Sequence, residues 1–115
     1  MAASRRVLLV EDEALVAMMI QQCLTETGHS IVGPISTASE ALVTAKDGDF
    51  DAAILDINLG DGMAYPVAEI LSARGIPFIF ATGYGESVLD SDFADVPVVQ
   101  KPFSRDALRE ALDRL

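Results

Sequence analysis

Apolar residues in this chain fall into two textures. Short unbroken runs, Val7-Leu8-Leu9-Val10, Ala52-Ala53-Ile54-Leu55 and Phe78-Ile79-Phe80-Ala81, alternate with longer stretches in which apolar positions recur every three or four residues. Unbroken runs suit strands buried on both faces, and the recurring positions suit helices packed by one side. The pattern predicts strands at 6–10, 30–35, 52–55, 78–81 and 98–100, and helices at 13–27, 38–46 and 64–74. A last helix follows Ser104, with Leu108, Ala111, Leu112 and Leu115 as its apolar stripe. Gly28 and Gly75 close the first and third helices. Ser36, Thr37 or Ser39 caps the second, and Ser104 the last. Pro66 falls in a first helical turn, where proline is tolerated. The segment Asn58-Leu59-Gly60-Asp61-Gly62 reads as a loop. Between 83 and 97, Asp90, Ser91, Asp92 and Pro97 leave little support for a helix, so any helix there is short, distorted or mobile.

Alternating strands and helices demand right-handed crossovers and a parallel sheet. The fold expected is a doubly wound α/β domain with helices on both faces of a five-stranded sheet ordered 2-1-3-4-5. Pro34 places the second strand at an edge. The 115 residues make one domain, 1–115, large enough to bury a core.

That order gathers chemistry at one edge. Glu11-Asp12 follow the first strand, Asp56 the third, Thr82 the fourth and Lys101 the fifth. Three carboxylates packed together repel one another, so without a cation at least one pKa rises. Oxygen donors with no histidine or thiolate select a hard metal, magnesium above all. Asp12 and Asp56 are the expected direct ligands, the backbone carbonyl of Asn58 a third, and Glu11 a holder of metal-bound water. Asp56 is also the candidate nucleophile, since carboxylates attack phosphorus to give aspartyl phosphates. Phosphoryl transfer asks chiefly for positioning and charge neutralisation. Lys101 would pair with one phosphoryl oxygen, and Thr82 and the backbone N–H groups after Asp56 would serve the rest.

Composition narrows the setting. Eighteen acids against eight Lys and Arg give a net charge of −10, which disfavours nucleic acid and anionic lipid as partners. No apolar stretch is long enough to span a bilayer and no signal peptide is present, so a cytoplasmic location is expected. The single cysteine, Cys23, reads as helix core, and His29, alone after Gly28, as structural.

These residues together resemble the receiver domain of two-component response regulators, which has the flavodoxin-like arrangement. Glu11-Asp12 resemble its acidic pair, Asp56 its phosphoacceptor, Asn58 its carbonyl ligand, Thr82 its switch hydroxyl and Lys101-Pro102-Phe103 its Lys-Pro-Phe motif. The resemblance implies Mg2+ as cofactor and a sensor histidine kinase or phosphotransfer protein as phosphodonor. It implies no enzymatic role beyond self-phosphorylation and dephosphorylation, and a monomer or weak dimer. The Lys-Pro bond is commonly cis in that family, so Lys101-Pro102 is expected to be cis. Pro77-Phe78-Ile79-Phe80-Ala81-Thr82-Gly83-Tyr84 is similar to the signature of the FATGUY receivers, often stand-alone proteins, some of which work with HWE-class kinases.

One departure stands out. Many receivers carry an aromatic residue three positions before the lysine, and here that position is Val98. The usual threonine–aromatic relay is therefore absent in its common form. The expected switch involves Thr82, Gly83 and Val98, with Tyr84 as a substitute ring or a simple strand-end cover, and Gly83-Tyr84-Gly85 as hinge. On the first helix Leu15 and Met18 face solvent with Gln22 one turn on, a surface suited to docking a kinase. The rivals are a haloacid-dehalogenase-like phosphatase, which expects an aspartate where Asn58 stands, and a receiver fragment of a larger hybrid kinase or response regulator. A binding-only pseudo-receiver, a flavin carrier and a dinucleotide site at Gly83-Tyr84-Gly85 fit less well.

Overall fold

Every residue of β1 (Arg6–Val10) after the first is buried, and so is every residue of β3 (Ala52–Asp56) and β6 (Phe78–Thr82). A computed structural model describes residues 4–83, 93, 95–101 and 104–114. Among them the remaining elements are α1 (Ala14–Glu26), β2 (Ser30–Ile35), α2 (Ala38–Asp47), β4 (Asn58–Leu59), β5 (Gly62–Met63), α3 (Tyr65–Arg74), β7 (Val98–Gln100) and α4 (Arg105–Asp113). The main sheet is parallel throughout, in the order β2-β1-β3-β6-β7, which is the expected 2-1-3-4-5 arrangement of five strands.

Strand alternation divides the apolar residues between two cores, one on each face of the sheet. Leu8, Val10, Ala53, Leu55, Phe78 and Phe80 pack with α2 and α3, whereas Val7, Leu9, Ala52, Ile54, Ile79 and Ala81 pack with α1 and α4. Burial on both faces explains why these strands are continuously apolar. On α1, Ala17, Ile20, Cys23 and Leu24 are buried, with Val16 and Met19 partly so, which confirms Cys23 as core. His29 is structural, as expected: its Nδ1 accepts a hydrogen bond from the backbone N–H of Arg5 at 3.0 Å. Phe78, Phe80, Tyr65 and Phe93 form an aromatic cluster, with ring centroids 5.5–5.9 Å apart.

The helix ends follow the sequence with small shifts. Thr37 is the cap of α2, accepting from the N–H of Glu40 at 3.2 Å, and Ser104 caps α4 through the N–H of Ala107 at 3.1 Å. Gly75 closes α3 in the left-handed conformation, φ 71°. The first helix ends one residue earlier than expected, at Glu26, with Thr27 as its cap and Gly28 (φ 88°) as the left-handed residue beyond it. Both β3 and β6 run one residue longer than the apolar pattern, because Asp56 and Thr82 stay in register with Ala81 and Gln100.

The expected loop at 58–62 is instead a tight antiparallel hairpin, Asn58 opposite Met63 and Leu59 opposite Gly62. Its apex supplies a cap to another element. Asp61 accepts from the N–H of Ala38 at 2.6 Å and of Ser39 at 3.2 Å, and from the Ser39 hydroxyl at 3.2 Å. These donors hold its carboxyl below the usual carboxylate range. Residues 84–92, 94, 102 and 103 lie outside the described set, and with them the expectations for Tyr84, for a helix after residue 86 and for the Lys101-Pro102 bond.

Asp61→Ala removes two N–H acceptors from the first turn of α2. The expected outcome is faster amide hydrogen exchange at Ala38 and Ser39 and a lower urea midpoint, with exchange in β1 and β3 unaffected. Unaltered exchange at both amides would show that Thr37 alone caps the helix.

Candidate functional site

At the carboxyl edge of the sheet the strand register carries three segments to one place. Val10 pairs with Leu55 and Asp56 with Ala81, so the chain leaving β1 reaches Glu11 beside the last residue of β3. The N–H of Glu11 is held by the carbonyl of Ile35 at 2.9 Å, which fixes the turn after the strand. One carboxylate oxygen from each of Glu11, Asp12 and Asp56 lies within 4.8 Å of the other two. Glu11 and Asp56 are buried and Asp12 is exposed, so the cluster opens to solvent on the Asp12 side.

Lys101 closes the buried side. Its backbone N–H donates to the carbonyl of Thr82 at 2.7 Å, and its side chain is 11% exposed. The ammonium Nζ lies 2.8 Å and 3.0 Å from the two oxygens of Glu11, 3.4 Å from Asp56 and 3.2 Å from Glu13. Desolvation works against the lysine's charge, but the Glu11 hydrogen bond and the attraction of Asp56 outweigh it and raise its pKa. Asp56 moves the other way in charge. Burial, then the negative field of Glu11, then the Asp12 side chain push its carboxyl up to about 8. The expected rise of one carboxyl pKa therefore falls on Asp56.

Glu11, Asp12 and Asp56 in the pocket, with Glu13 at its rim, outnumber the one ammonium. The donor set is all oxygen, with no sulfur or imidazole, and it fits a hard divalent cation. Asn58 donates its N–H to Asp56 Oδ1 at 3.3 Å, so the backbone beyond the aspartate already addresses its carboxylate. Thr82 ends β6 beside this group and is 1% exposed. Gly83 follows half-buried. Val98 pairs with Phe80 and is 45% exposed, so no ring covers that position of β7. Leu15 and Met18, 81% and 62% exposed, share α1 with exposed Gln22, which is engaged with Glu26 at 3.3 Å.

Sequence reasoning passed over Glu13. It stands at the start of α1 without capping it by its side chain, and its N–H donates to Glu11 Oε2 at 3.1 Å. The signal was available in the run of three acids, Glu11-Asp12-Glu13. Asp61 and Phe93 were also missed. Asp61 acts on amides 22 and 23 residues away, and Phe93 is an isolated apolar residue in a polar segment.

Comparison with known proteins is consistent with this geometry. The profile of the response regulator receiver domain matches residues 7–113. SdrG from Sphingomonas melonis Fr1, in a solution structure, is 48% identical with a TM-score of 0.86, covering 98% of this chain and 97% of that one. A second SdrG structure, described as the BeF3-activated conformation from Pseudomonas melonis Fr1, superposes with a TM-score of 0.79 at 48% identity over the same shares of the two chains. The phyllosphere-induced regulator PhyR of Methylorubrum extorquens is 33% identical over 101 residues, 84% of this chain and 38% of its own. The transcriptional regulatory protein PdtaR of Mycobacterium tuberculosis is 33% identical over 97% of this chain and 57% of its own. The chain thus spans 38–57% of the length of these two curated relatives.

The raised Asp56 pKa has a consequence for stability. Folded, the group titrates near 8, and unfolded, near the ordinary carboxylate value of about 4. The folded chain therefore keeps a proton that the unfolded chain has lost, and metal-free stability declines as pH rises from about 4 to about 8. The full gap converts to about 6 kcal/mol, which water on the open side of the pocket screens to roughly 1–3 kcal/mol. Metal-free Asp56→Asn should be more stable than the native chain by that amount at pH 8, with the two converging near pH 4, in urea unfolding. No gain at pH 8 would show that the carboxylate is not strained.

Proposed function

The chain belongs to the response regulator receiver domain family, and from that premise we propose that it is a phosphoacceptor module of a two-component system, with Asp56 as the residue modified. The convergence of Glu11, Asp12 and Asp56 within 4.8 Å, with Lys101 Nζ 3.4 Å from Asp56, carries this reading. An Asp56 carboxylate oxygen attacks the phosphorus of an N-phosphoimidazole. The O–P bond forms as the P–N bond breaks, and the imidazole leaves with the bonding pair and is protonated by solvent. The product stays on the protein, so the activity is self-modification followed by hydrolysis.

Attack requires Asp56 ionised, whereas the pocket by itself favours the acid form. Asp12, Asp56 and the Asn58 carbonyl would hold Mg2+, with Glu11 acting through its bound water. The ion supplies the positive charge that keeps Asp56 ionised and offsets a phosphoryl oxygen. Lys101 turns its ammonium to a second oxygen, and Thr82 and the N–H groups beyond Asp56 donate to the remainder. Burial of Thr82 keeps its hydroxyl in a low-dielectric setting, where such a bond is strongest. SdrG, similar over nearly its whole chain, has a BeF3-activated conformation. A fluoroberyllate on a carboxylate has the tetrahedral shape of a carboxyl-bound phosphoryl group, which supports the same chemistry here.

The phosphodonor in this reading is a histidine kinase, of the HWE class, or a phosphotransfer protein. Leu15, Met18 and Gln22 on α1 form its docking surface, one turn from Asp12. Thr82 and Gly83 begin the switch segment, and exposed Val98 replaces the ring that the common relay uses.

Incubation with Mg2+ and acetyl phosphate should add one phosphoryl group by intact mass, labile to hydroxylamine. Asp56→Asn should abolish it. A native chain that stays unmodified would overturn the phosphoacceptor reading. Leu15→Ser with Met18→Ser should slow transfer from a phosphorylated kinase about ten-fold or more while leaving acetyl phosphate labelling unchanged. Equal loss with both donors would remove the docking role.

A further inference from the structure

Lys101 has one partner that the chemistry of phosphoryl transfer does not call for. Glu11 and Asp56 belong to the pocket. Glu13 does not: its side chain is 63% exposed, yet Oε1 reaches back to within 3.2 Å of Lys101 Nζ. The contact is not incidental to helix capping, because the Glu13 side chain makes no cap bond to α1. The backbone holds it in place. The Glu13 N–H donates to Glu11 Oε2 at 3.1 Å, and Lys101 Nζ binds the same oxygen at 3.0 Å, so the turn 11–13 folds its two glutamates around one ammonium.

We infer that Glu13 is a positioning residue that acts through Lys101, holding its ammonium on the solvent side of the pocket and competing with an incoming phosphoryl oxygen for it. The inference rests on the phosphoacceptor reading of Asp56. Lys101 is the sole cation within salt-bridge distance of the pocket acids among the described residues. Any bond it makes to a phosphoryl oxygen must draw on donors now spent on three carboxylates. Glu11 is buried and fixed, and Asp56 is the group modified. Glu13 is the exposed partner, whose carboxylate regains full hydration once released. It is therefore the contact that gives way first, and its strength sets how much of the lysine's charge is free to act. Glu13 thus slows acquisition of the phosphoryl group.

The prediction separates contact from charge. At saturating Mg2+ and low ionic strength, Glu13→Gln should take up phosphoryl from acetyl phosphate about three-fold faster than the native chain. Glu13→Asp keeps the charge but is one methylene too short to reach Nζ, and it should accelerate similarly. Asp113→Asn, an equal change in net charge at the far end of α4, should leave the rate alone. In about 1 M salt the three-fold advantage should shrink towards unity. In the unmodified protein, the Lys101 ε-methylene NMR resonance should move in both Glu13 variants and not in Asp113→Asn. Acceleration by Glu13→Gln alone would mean a general field effect and would overturn the inference, as would rates and Lys101 resonances unchanged in both Glu13 variants. A native chain unmodified at Asp56 is a different failure, that of the underlying reading.

Discussion

One ammonium group holds the carboxyl edge of this sheet together. Lys101 Nζ sits within 3.4 Å of three carboxylates brought by two different segments, Glu11 and Glu13 after β1 and Asp56 at the end of β3. Charges buried in this way are costly unless compensated, and one cation does not compensate four acids. The cost appears on Asp56, whose carboxyl is pushed to about 8 first by burial and then by the field of Glu11. A pocket built solely for stability would replace such groups with apolar ones of similar size. This one keeps them, and the two apolar cores on either face of the sheet carry the cost.

Most of this arrangement was legible in the chain because it follows from strand order. Once strands 6–10 and 52–55 are neighbours in a parallel sheet, Glu11 and Asp56 have nowhere to be except side by side, and Lys101 must emerge at the same edge. Pro34 and the continuous apolar runs agree with that order, which places the second strand at an edge and the first, third and fourth strands inside the sheet. What escaped the sequence has a common physical character. The caps that Asp61 gives α2 are contacts across more than twenty residues, and nothing local distinguishes that aspartate from any other turn residue. Phe93 is buried among Phe78, Phe80 and Tyr65, but a single apolar residue has no period. Glu13 carries no local signal of its pairing with Lys101, because that partner lies 88 residues away. The hairpin at 58–63 was taken for loop because two-residue strands carry no alternation.

The two sides of the pocket are held by different forces. On the Asp56 side the chain is stapled. Ile57 donates its N–H to Ala81 at 3.1 Å, Ala64 donates to Ile57 at 2.8 Å, and the hairpin between them grips α2 through Asp61. These are backbone and cap bonds, insensitive to the charge on Asp56. On the Lys101 side the backbone is fixed to Thr82, and the ammonium is placed by hydrogen bonds and ion pairs to carboxylates. The rigid half presents the carboxylate in one orientation, which transfer between two macromolecules demands. On the lysine half the partners are charged side chains, whose contacts depend on their ionisation.

The same strand ends border position 98, where Val98 stands exposed in place of an aromatic ring. Thr82 and Lys101 are joined by a 2.7 Å backbone hydrogen bond, which ties the ends of β6 and β7 together. Phe80 donates its N–H to the carbonyl of Pro97 at 3.0 Å, and its ring packs on Phe93 at 5.7 Å, tying the segment entering β7 to the strand that carries Thr82. A ring rotating at position 98 would report on Thr82 through a space that Val98, 45% exposed, leaves open to solvent. The ends of β6 and β7 are joined by that backbone pair, and Phe80, on the same face of the sheet as Val98, packs among the buried aromatics. A buried stack of that kind is close-packed and resists continuous deformation.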